Sequence, residues 1–472
     1  MSGRKEPEPF RAWEVPPGAR DRLAGHAAFD GVPGVLVPAL DPASVREIVD
    51  RLAAARDALH SAPVREIARH LGRVGERFLD PGGDLRADAL SWISPFSGLS
   101  PDMAAAVLDG MASGWTVAAL SALLDAEFRD PSVLDRFLPS SAPRLSSLRA
   151  MGPRFCFQVV AGSVPGVGTT ALIRSLLVKS PTLVKPGLGD VALPVLFLRA
   201  LREEAPALAD AAAVLYWTGG DRALEDAVLG AADLTVVYGG DETVKALRDR
   251  MPPSSRLVAY HHRVGFGIVG REGLGADEVG RVVTEVAGSV AFFDQRGCVS
   301  PHVVYVEDGG STSPSRFAAL VAGALDAVGR ALPIGDMDEI EVSAVQQLRG
   351  TAEMLSAAGK GVELHTGRAA SWTVVLDPGH DLNDACVGRV VLVRPVADAG
   401  EVPALVAPRG AYLQTAGVAG CGTRTAGLAE ALARVGVTRV TDFGGVAFPP
   451  PWWLHDGEGP LRALLRWTES DV

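Results

Sequence analysis

One thiol and one amine in this chain sit where chemistry can be done. Cys298 lies in FFDQRGCVSPHVVYVED, between a glycine and an apolar run of strand type. A thiolate is a good nucleophile and a good leaving group, which suits acyl transfer through a thioester. Gly297 before it lets a second group approach the backbone closely. Cysteine is also among the most buried residue types and often serves as a small hydrophobe, and local context alone leans to that reading. Cys156, inside an apolar strand, and Cys386 read as structural, while Cys421, in AGCGTRT, is a weaker alternative nucleophile. Lys185, in PTLVKPG, ends a predicted strand, where ligands collect in doubly wound sheets. A plain solvated lysine fits that position equally.

Glycine turns surround these two residues. AGSVPGVGTT (Ala161–Thr170) follows a strand and precedes a helix, a context that suits a phosphate or pyrophosphate at a helix N-terminus. It matches neither G-x-G-x-x-G nor a P-loop, and a tight turn needing small residues accounts for it as well. WTGGD (Trp217–Asp221) and YGGDET (Tyr238–Thr243) are two more strand-end turns. Three from successive strands, beside a lysine, point to a nucleotide crevice. The adjacent His261 and His262 face opposite ways on a strand and read as core or loop residues rather than metal ligands.

The elements that must position these residues alternate from Phe155 onward. FCFQVVA, PTLVKPG, AAVLYWTG and LTVVYGG read as strands separated by helical stretches, the signature of a doubly wound parallel sheet. RLVAYHH and GFGIVG are expected to extend it. A helix after Leu274 leads to Cys298 and the strand HVVYVED, so a second α/β unit follows. Before Arg149 the chain reads mainly helical: Asp41–Leu59 has a near 3.6-residue apolar period with Asp41 as N-cap, and Ser100–Phe128 is apolar on most sides. The C-terminal PLRALLRW reads as a short helix.

Composition sets the bounds. The 472 residues, 47% of them hydrophobic, make a globular chain of two or three domains. A net charge of −11 argues against a nucleic-acid partner, which would need a basic face. The four cysteines include no C-x-x-C pair. No apolar run approaches the roughly 18 residues of a membrane span, and no signal-type apolar stretch follows the charged N-terminus. A cytoplasmic, reducing location is the expectation.

In this order and at these separations, AGSVPG, LVKPG, the two glycine turns, DQRGC, YLQTAGV and LHDGEGPLRALLRW resemble the aldehyde dehydrogenase superfamily. Within it they are most similar to the LuxC-type fatty acyl-CoA reductases, from about Leu138 to the C-terminus. The resemblance implies an α/β, aldehyde-dehydrogenase-like fold. Its parts would be a helical N-terminal region (1–145), a doubly wound dinucleotide-binding domain (146–272), a catalytic domain (273–445) and a C-terminal segment returning to the core (446–472).

It also implies a reaction: Cys298 takes an acyl group from acyl-CoA or an acyl-carrier protein, and NADPH, with NADH as the alternative, reduces it to an aldehyde. Gly162, Lys185, Gly219, Gly220, Gly240 and Asp241 would bind the cofactor, with no metal, in a homo-oligomer. Ser163 stands where ordinary aldehyde dehydrogenases carry an oxyanion-binding asparagine. Tyr260 or His261 stands where the oxidising members carry a glutamate that activates water, which favours reduction or CoA-dependent chemistry over aldehyde oxidation. Leu188 follows Lys185 where NAD-preferring relatives often carry a glutamate, so NADPH is favoured, although Asp190 could interfere. Other readings keep the same residues: a CoA-acylating dehydrogenase working in the oxidising direction, or a nonreducing acyl-transfer or scaffold protein.

Overall fold

The computed structural model describes residues 9–471 except 21–22, 24, 30, 141–145, 380 and 383–386. Two sheets carry the architecture. The first has six strands in the spatial order Arg256–Tyr260, Leu234–Tyr238, Cys156–Val159, Thr182–Lys185, Ala212–Leu215 and Trp13–Glu14. All neighbours are parallel except Trp13–Glu14, which runs antiparallel at the edge. The three strands Cys156–Val159, Thr182–Lys185 and Ala212–Leu215 are buried throughout, as a parallel sheet covered on both faces requires. After Cys156–Val159 the chain moves towards Lys185. After Leu234–Tyr238 it moves the other way, towards Tyr260. These two neighbouring strands therefore flank the topological switch point, where a crevice opens outside the carboxyl ends.

The second sheet has seven strands: Glu363–Thr366, Thr373–Leu376, Val390–Val396, Pro301–Glu307, Val264–Val269, Leu413–Ala419 and Arg439–Thr441, parallel but for the antiparallel first pair. The GFGIVG run, expected to extend the first sheet within residues 146–272, is an inner strand of this second sheet, so the sheets divide at 261–263. Alternating apolar residues mark a strand but not its sheet. The glycines decide it: a Cβ on Gly265 would lie 2.6 Å from the Val299 carbonyl oxygen, and one on Gly267 2.6 Å from the Phe443 ring.

The N-terminal part packs helices onto the first sheet. Asp41 caps Pro42–Ala54 as expected, its carboxylate accepting from Ser44 N–H at 2.7 Å. The apolar stretch Ser100–Phe128 is two helices, Pro101–Ser113 and Val117–Glu127, bent by 51°. Thr116 caps the second of them, and Gly72 and Gly75 let the bend touch the helix Val64–Leu79. Among the described residues no single helix is long and apolar enough to cross a membrane, although this bent pair passes that test by length and composition together.

The C-terminal PLRALLRW is not the helix its apolar spacing suggests. It forms one short turn, Arg462–Leu464, and the strand Arg466–Ser470, which pairs antiparallel with Ser147–Met151. The Arg256 guanidinium takes the carbonyls of Ala463 and Leu465, and the buried Glu127 carboxylate takes the N–H groups of Leu461 and Arg462, so both sets of helix-forming groups are engaged elsewhere.

Candidate active site

Cys298 stands just before the strand Pro301–Glu307, at the end of a turn with an unusual backbone. Phe293, Asp294 and Gln295 have φ of 58°, 50° and 67°, three consecutive left-handed residues without a glycine. Such conformations cost of order 1–3 kcal/mol each and persist only where surrounding contacts over-determine them. Those contacts are present. Asp294 pairs with the fully buried Arg389 at 2.7 Å and accepts from Gly335 N–H. The Gln295 amide donates to the carbonyls of Pro301 and Val390 and accepts from Val390 N–H at 2.7 Å. The DQ of DQRGC is thus a clamp that aims the thiol.

The sulfur forms the shared wall of two cavities. One, of about 590 Å³, runs between the N-terminal helices and the C-terminal segment, with Met111, Trp115, Val167, Phe448 and Trp453 on its walls. The other, of about 380 Å³, opens over the switch point and is bounded by Ser163, Gly239, Gly240, His262 and Gln414. Val164, Tyr238, Gly297 and His455 join Cys298 in bordering both. Two different groups can therefore reach the same atom, one from each cavity.

Cys298 is exposed to these cavities at the bottom of a cleft in the protein. Desolvation pushes its thiol up to about 11, the Asp456 carboxylate adds to the rise, and a hydrogen bond from the Gln414 side chain opposes it. Asp456 comes from the C-terminal segment at a φ of 54° and is tied in by Arg263 at 2.9 Å and by the Gln414 amide at 2.7 Å.

His455 is buried and stacked on Tyr260 at 4.0 Å and on Trp453 at 4.5 Å; burial, with Arg174 and Arg263 nearby, holds it well below the ordinary histidine value, so it is neutral. Tyr260 also stacks on Tyr238 at 4.7 Å, and burial raises its hydroxyl. Aromatic packing thus surrounds Tyr260, and no Asp or Glu is among the residues lining either cavity. The other described thiols are unsuited to attack: Cys156 and Cys421 are buried where Cys298 is exposed, and neither lines these cavities. Cys386 lies outside the described residues.

The residues expected to bind a cofactor gather along the carboxyl edge of the first sheet, with differing local reasons. Lys185 is buried, its amine 5.7 Å over the Trp217 ring and beside Gly219, and burial lowers its basicity while Glu225 opposes that. Gly220 needs its glycine for a φ of 90°, and its N–H is held by Glu225. Gly240 has open space where a Cβ would be. Asp241 is engaged by His261 at 3.5 Å and by the Tyr412 hydroxyl at 3.4 Å, so it buttresses the crevice wall.

Gly162 packs against the Gly187–Gly189 backbone, 2.7 Å from the Gly189 nitrogen to a built Cβ, and so joins two loops. The Val167–Leu177 helix N-terminus does not serve as the expected phosphate site. Its N–H groups at Gly166 and Gly168 are taken by the Asp190 carboxylate at 2.6 and 2.5 Å. Asp190 is buried there, which raises it to about 7, and it does not face the crevice where it could interfere with a cofactor phosphate. Ser163 is exposed on the wall of the cleft that holds Cys298.

Sequence reasoning did not find Gln414 on the cavity wall beside the thiol, or Asp456 bonded to Gln414. A buried glutamine within the apolar strand of YLQTAGV was the available signal, since a polar side chain in such a strand needs a reason.

This two-sheet arrangement, with a cysteine between the sheets, is that of the aldehyde dehydrogenases. An aldehyde dehydrogenase from Brucella melitensis biovar abortus 2308 superposes with a TM-score of 0.72 at 16% identity, covering 100% of this chain and 99% of that one. The NADP-dependent glyceraldehyde-3-phosphate dehydrogenase from Bacillus halodurans C-125, solved with NADP, gives 0.71 at 15% identity over 95% and 96%. Within that fold the chain belongs to the acyl-CoA reductase (LuxC) family, whose model matches residues 59–467. The long-chain acyl-protein thioester reductase of Aliivibrio fischeri is 24% identical over 419 residues, 86% of this chain and 82% of that protein. The enzyme of the same name from Photobacterium phosphoreum is 23% identical over 420 residues, 86% and 81%.

Proposed function

We propose that this enzyme reduces an acyl thioester, from acyl-CoA or an acyl-carrier protein, to the aldehyde through a thioester on Cys298, with NADPH as reductant. The observation that carries the reading is the meeting of two cavities at one sulfur, one between the N-terminal helices and the C-terminal aromatic rings and one over the switch point. The acyl chain occupies the first of these. The Cys298 thiolate attacks the carbonyl, the donor thiol departs with the proton, and an acyl-enzyme remains. The Cys298 backbone N–H and the Ser163 hydroxyl are the donors available to the oxyanion; removing such a donor typically costs about 10²–10³ in turnover.

The crevice suits a nicotinamide dinucleotide: Lys185 is a buried amine without an ion pair among the described residues, and Gly240 leaves the rim open. When bound there, the dinucleotide supplies hydride to the thioester carbonyl. The resulting thiohemiacetal oxyanion expels the Cys298 thiolate and releases aldehyde. NADPH is favoured over NADH because Leu188 offers no carboxylate and Asp190 is turned inward. The aromatic stack over Tyr260 leaves no carboxylate at that place to activate water, so the acyl-enzyme waits for hydride. A homo-oligomer is part of this reading, supported by the exposed Trp467 on the C-terminal strand, as is a cytoplasmic setting, supported by three free thiols among the described residues.

Intact mass after incubation with a panel of acyl-CoAs tests the reading. A gain of one acyl group that Cys298→Ala lacks and that NADPH discharges as aldehyde is the expected result. An adduct that NADPH leaves in place would mean acyl transfer without reduction.

A further inference from the structure

A buried amide shares the thiol's cavity. Gln414 is fully buried at the start of the strand Leu413–Ala419, and its side chain borders the cavity that Cys298 also lines. Its amide nitrogen donates one hydrogen to Asp456 at 2.7 Å, and Asp456 is in turn fixed by Arg263 at 2.9 Å. A carboxylate accepts only, so Asp456 decides which end of the amide points this way: nitrogen, with a second hydrogen free for sulfur. The other end, the Gln414 carbonyl oxygen, is buried without a partner. An orphaned acceptor is unfavourable, and a leucine of similar size would avoid it. The amide is therefore present for its donors.

We propose that Gln414 is a catalytic residue: one amide N–H binds the Cys298 sulfur whenever it carries negative charge, while Asp456 and Arg263 hold the other. This rests on Cys298 as the nucleophile of the proposed reductase. The sulfur is anionic twice in that cycle. First, Cys298 loses its proton, its S–C bond to the acyl carbon forms, the donor's C–S bond breaks, and the proton ends on the departing thiol. Later the thiohemiacetal oxyanion reforms the carbonyl, the S–C bond breaks, and the electron pair returns to Cys298. A donor fixed from outside the turn serves both moments without moving the turn. Arg263 and Arg296 are the cations facing this space, Asp456 the carboxylate behind Gln414, and His261, His262, His302, His455, Tyr238 and Tyr260 the titratable rings.

Alkylation of Cys298 by iodoacetamide, followed by mass from pH 7 to 11, reads the thiol without thioester or nicotinamide, so the result does not depend on the overall reaction. Gln414→Leu and Gln414→Met, each of similar length without the amide, are expected to slow modification about tenfold at every pH below the thiol midpoint, which is what a rise of about one unit in that midpoint produces. A profile that superimposes on wild type, or shifts downward, would overturn the proposal. In wild-type protein, the Gln414 side-chain amide resonance should step at the thiol midpoint and lose that step in Cys298→Ala, which keeps the test sound if neither variant folds. An amide resonance indifferent to Cys298 would overturn it equally. Loss of aldehyde formation with these shifts intact would count against the reductase reading instead.

Discussion

The turn that carries Cys298 should fail in a specific way when its clamp loses one charge. Arg389 and Asp294 are buried to 0% and 1% exposure and meet at 2.7 Å, with a second contact at 3.1 Å. Arg389→Met leaves the Asp294 carboxylate in the interior with only the Gly335 N–H, and breaking a buried pair this way costs about 3–5 kcal/mol. Asp294→Asn strands the guanidinium with a similar penalty. The double variant Asp294→Asn/Arg389→Met removes both charges and keeps an acceptor for Gly335, so most of the loss should return. The expected coupling is about 2 kcal/mol or more. Guanidinium chloride midpoints of the four proteins measure the stability cycle. Iodoacetamide modification of Cys298 reports whether the three left-handed residues still aim the thiol, and the double variant should recover stability more fully than thiol geometry. Single losses below about 1 kcal/mol, or losses that add within about 0.5 kcal/mol, would refute the clamp.

Three further outcomes follow from the site. Asp456→Asn should lower the Cys298 midpoint and speed alkylation near pH 8, because the negative charge that raises the thiol is removed while an acceptor for Gln414 stays; a slower reaction would contradict it. Lys185→Ala should weaken NADPH binding at least tenfold and leave acylation by acyl-CoA unchanged by mass, whereas the opposite pattern would remove the lysine from the cofactor site. Without nicotinamide, the acyl-enzyme should hydrolyse far more slowly than it is reduced, at a rate indifferent to pH between 6 and 8, because His455 is held neutral throughout that range and no carboxylate stands at Tyr260; a hydrolysis rate rising through a midpoint near 7 would identify a working base.

Much of this arrangement was legible because it is local. The strand-turn-helix alternation fixes the first sheet, and the glycine turns mark its carboxyl edge. Asp41 signalled its helix correctly because a cap is a matter of four consecutive residues. What failed to show was set by distant partners. Val264–Val269 has a strand pattern that either sheet could take, and contacts with Val299 and Phe443 settle the choice. PLRALLRW has helical spacing, but Arg256 and Glu127 withdraw its backbone groups. The turn at Ala161–Thr170 looks like an anion site until Asp190, after the next strand, is found in it. For the nucleophile, the sequence shows the thiol and its glycine but not the amide on the cavity wall beside it.

The C-terminal segment brings these threads together. It supplies Trp453 and His455 to the stack on Tyr260, and Asp456 to the amide beside the thiol. One short turn thus does two things. It stacks rings on Tyr260, and it places a carboxylate where Arg263 and Gln414 occupy its oxygens. Asp456 itself lines neither of the cavities that meet at Cys298. In the reductase proposed above, the acyl carbon meets a hydride donor from the cavity over the switch point while no carboxylate lines either cavity to activate water. On that proposal, selectivity for reduction over hydrolysis lies in the wall that the segment builds around an otherwise ordinary cysteine, and not in any special reactivity of the thiol, which its surroundings make less acidic rather than more.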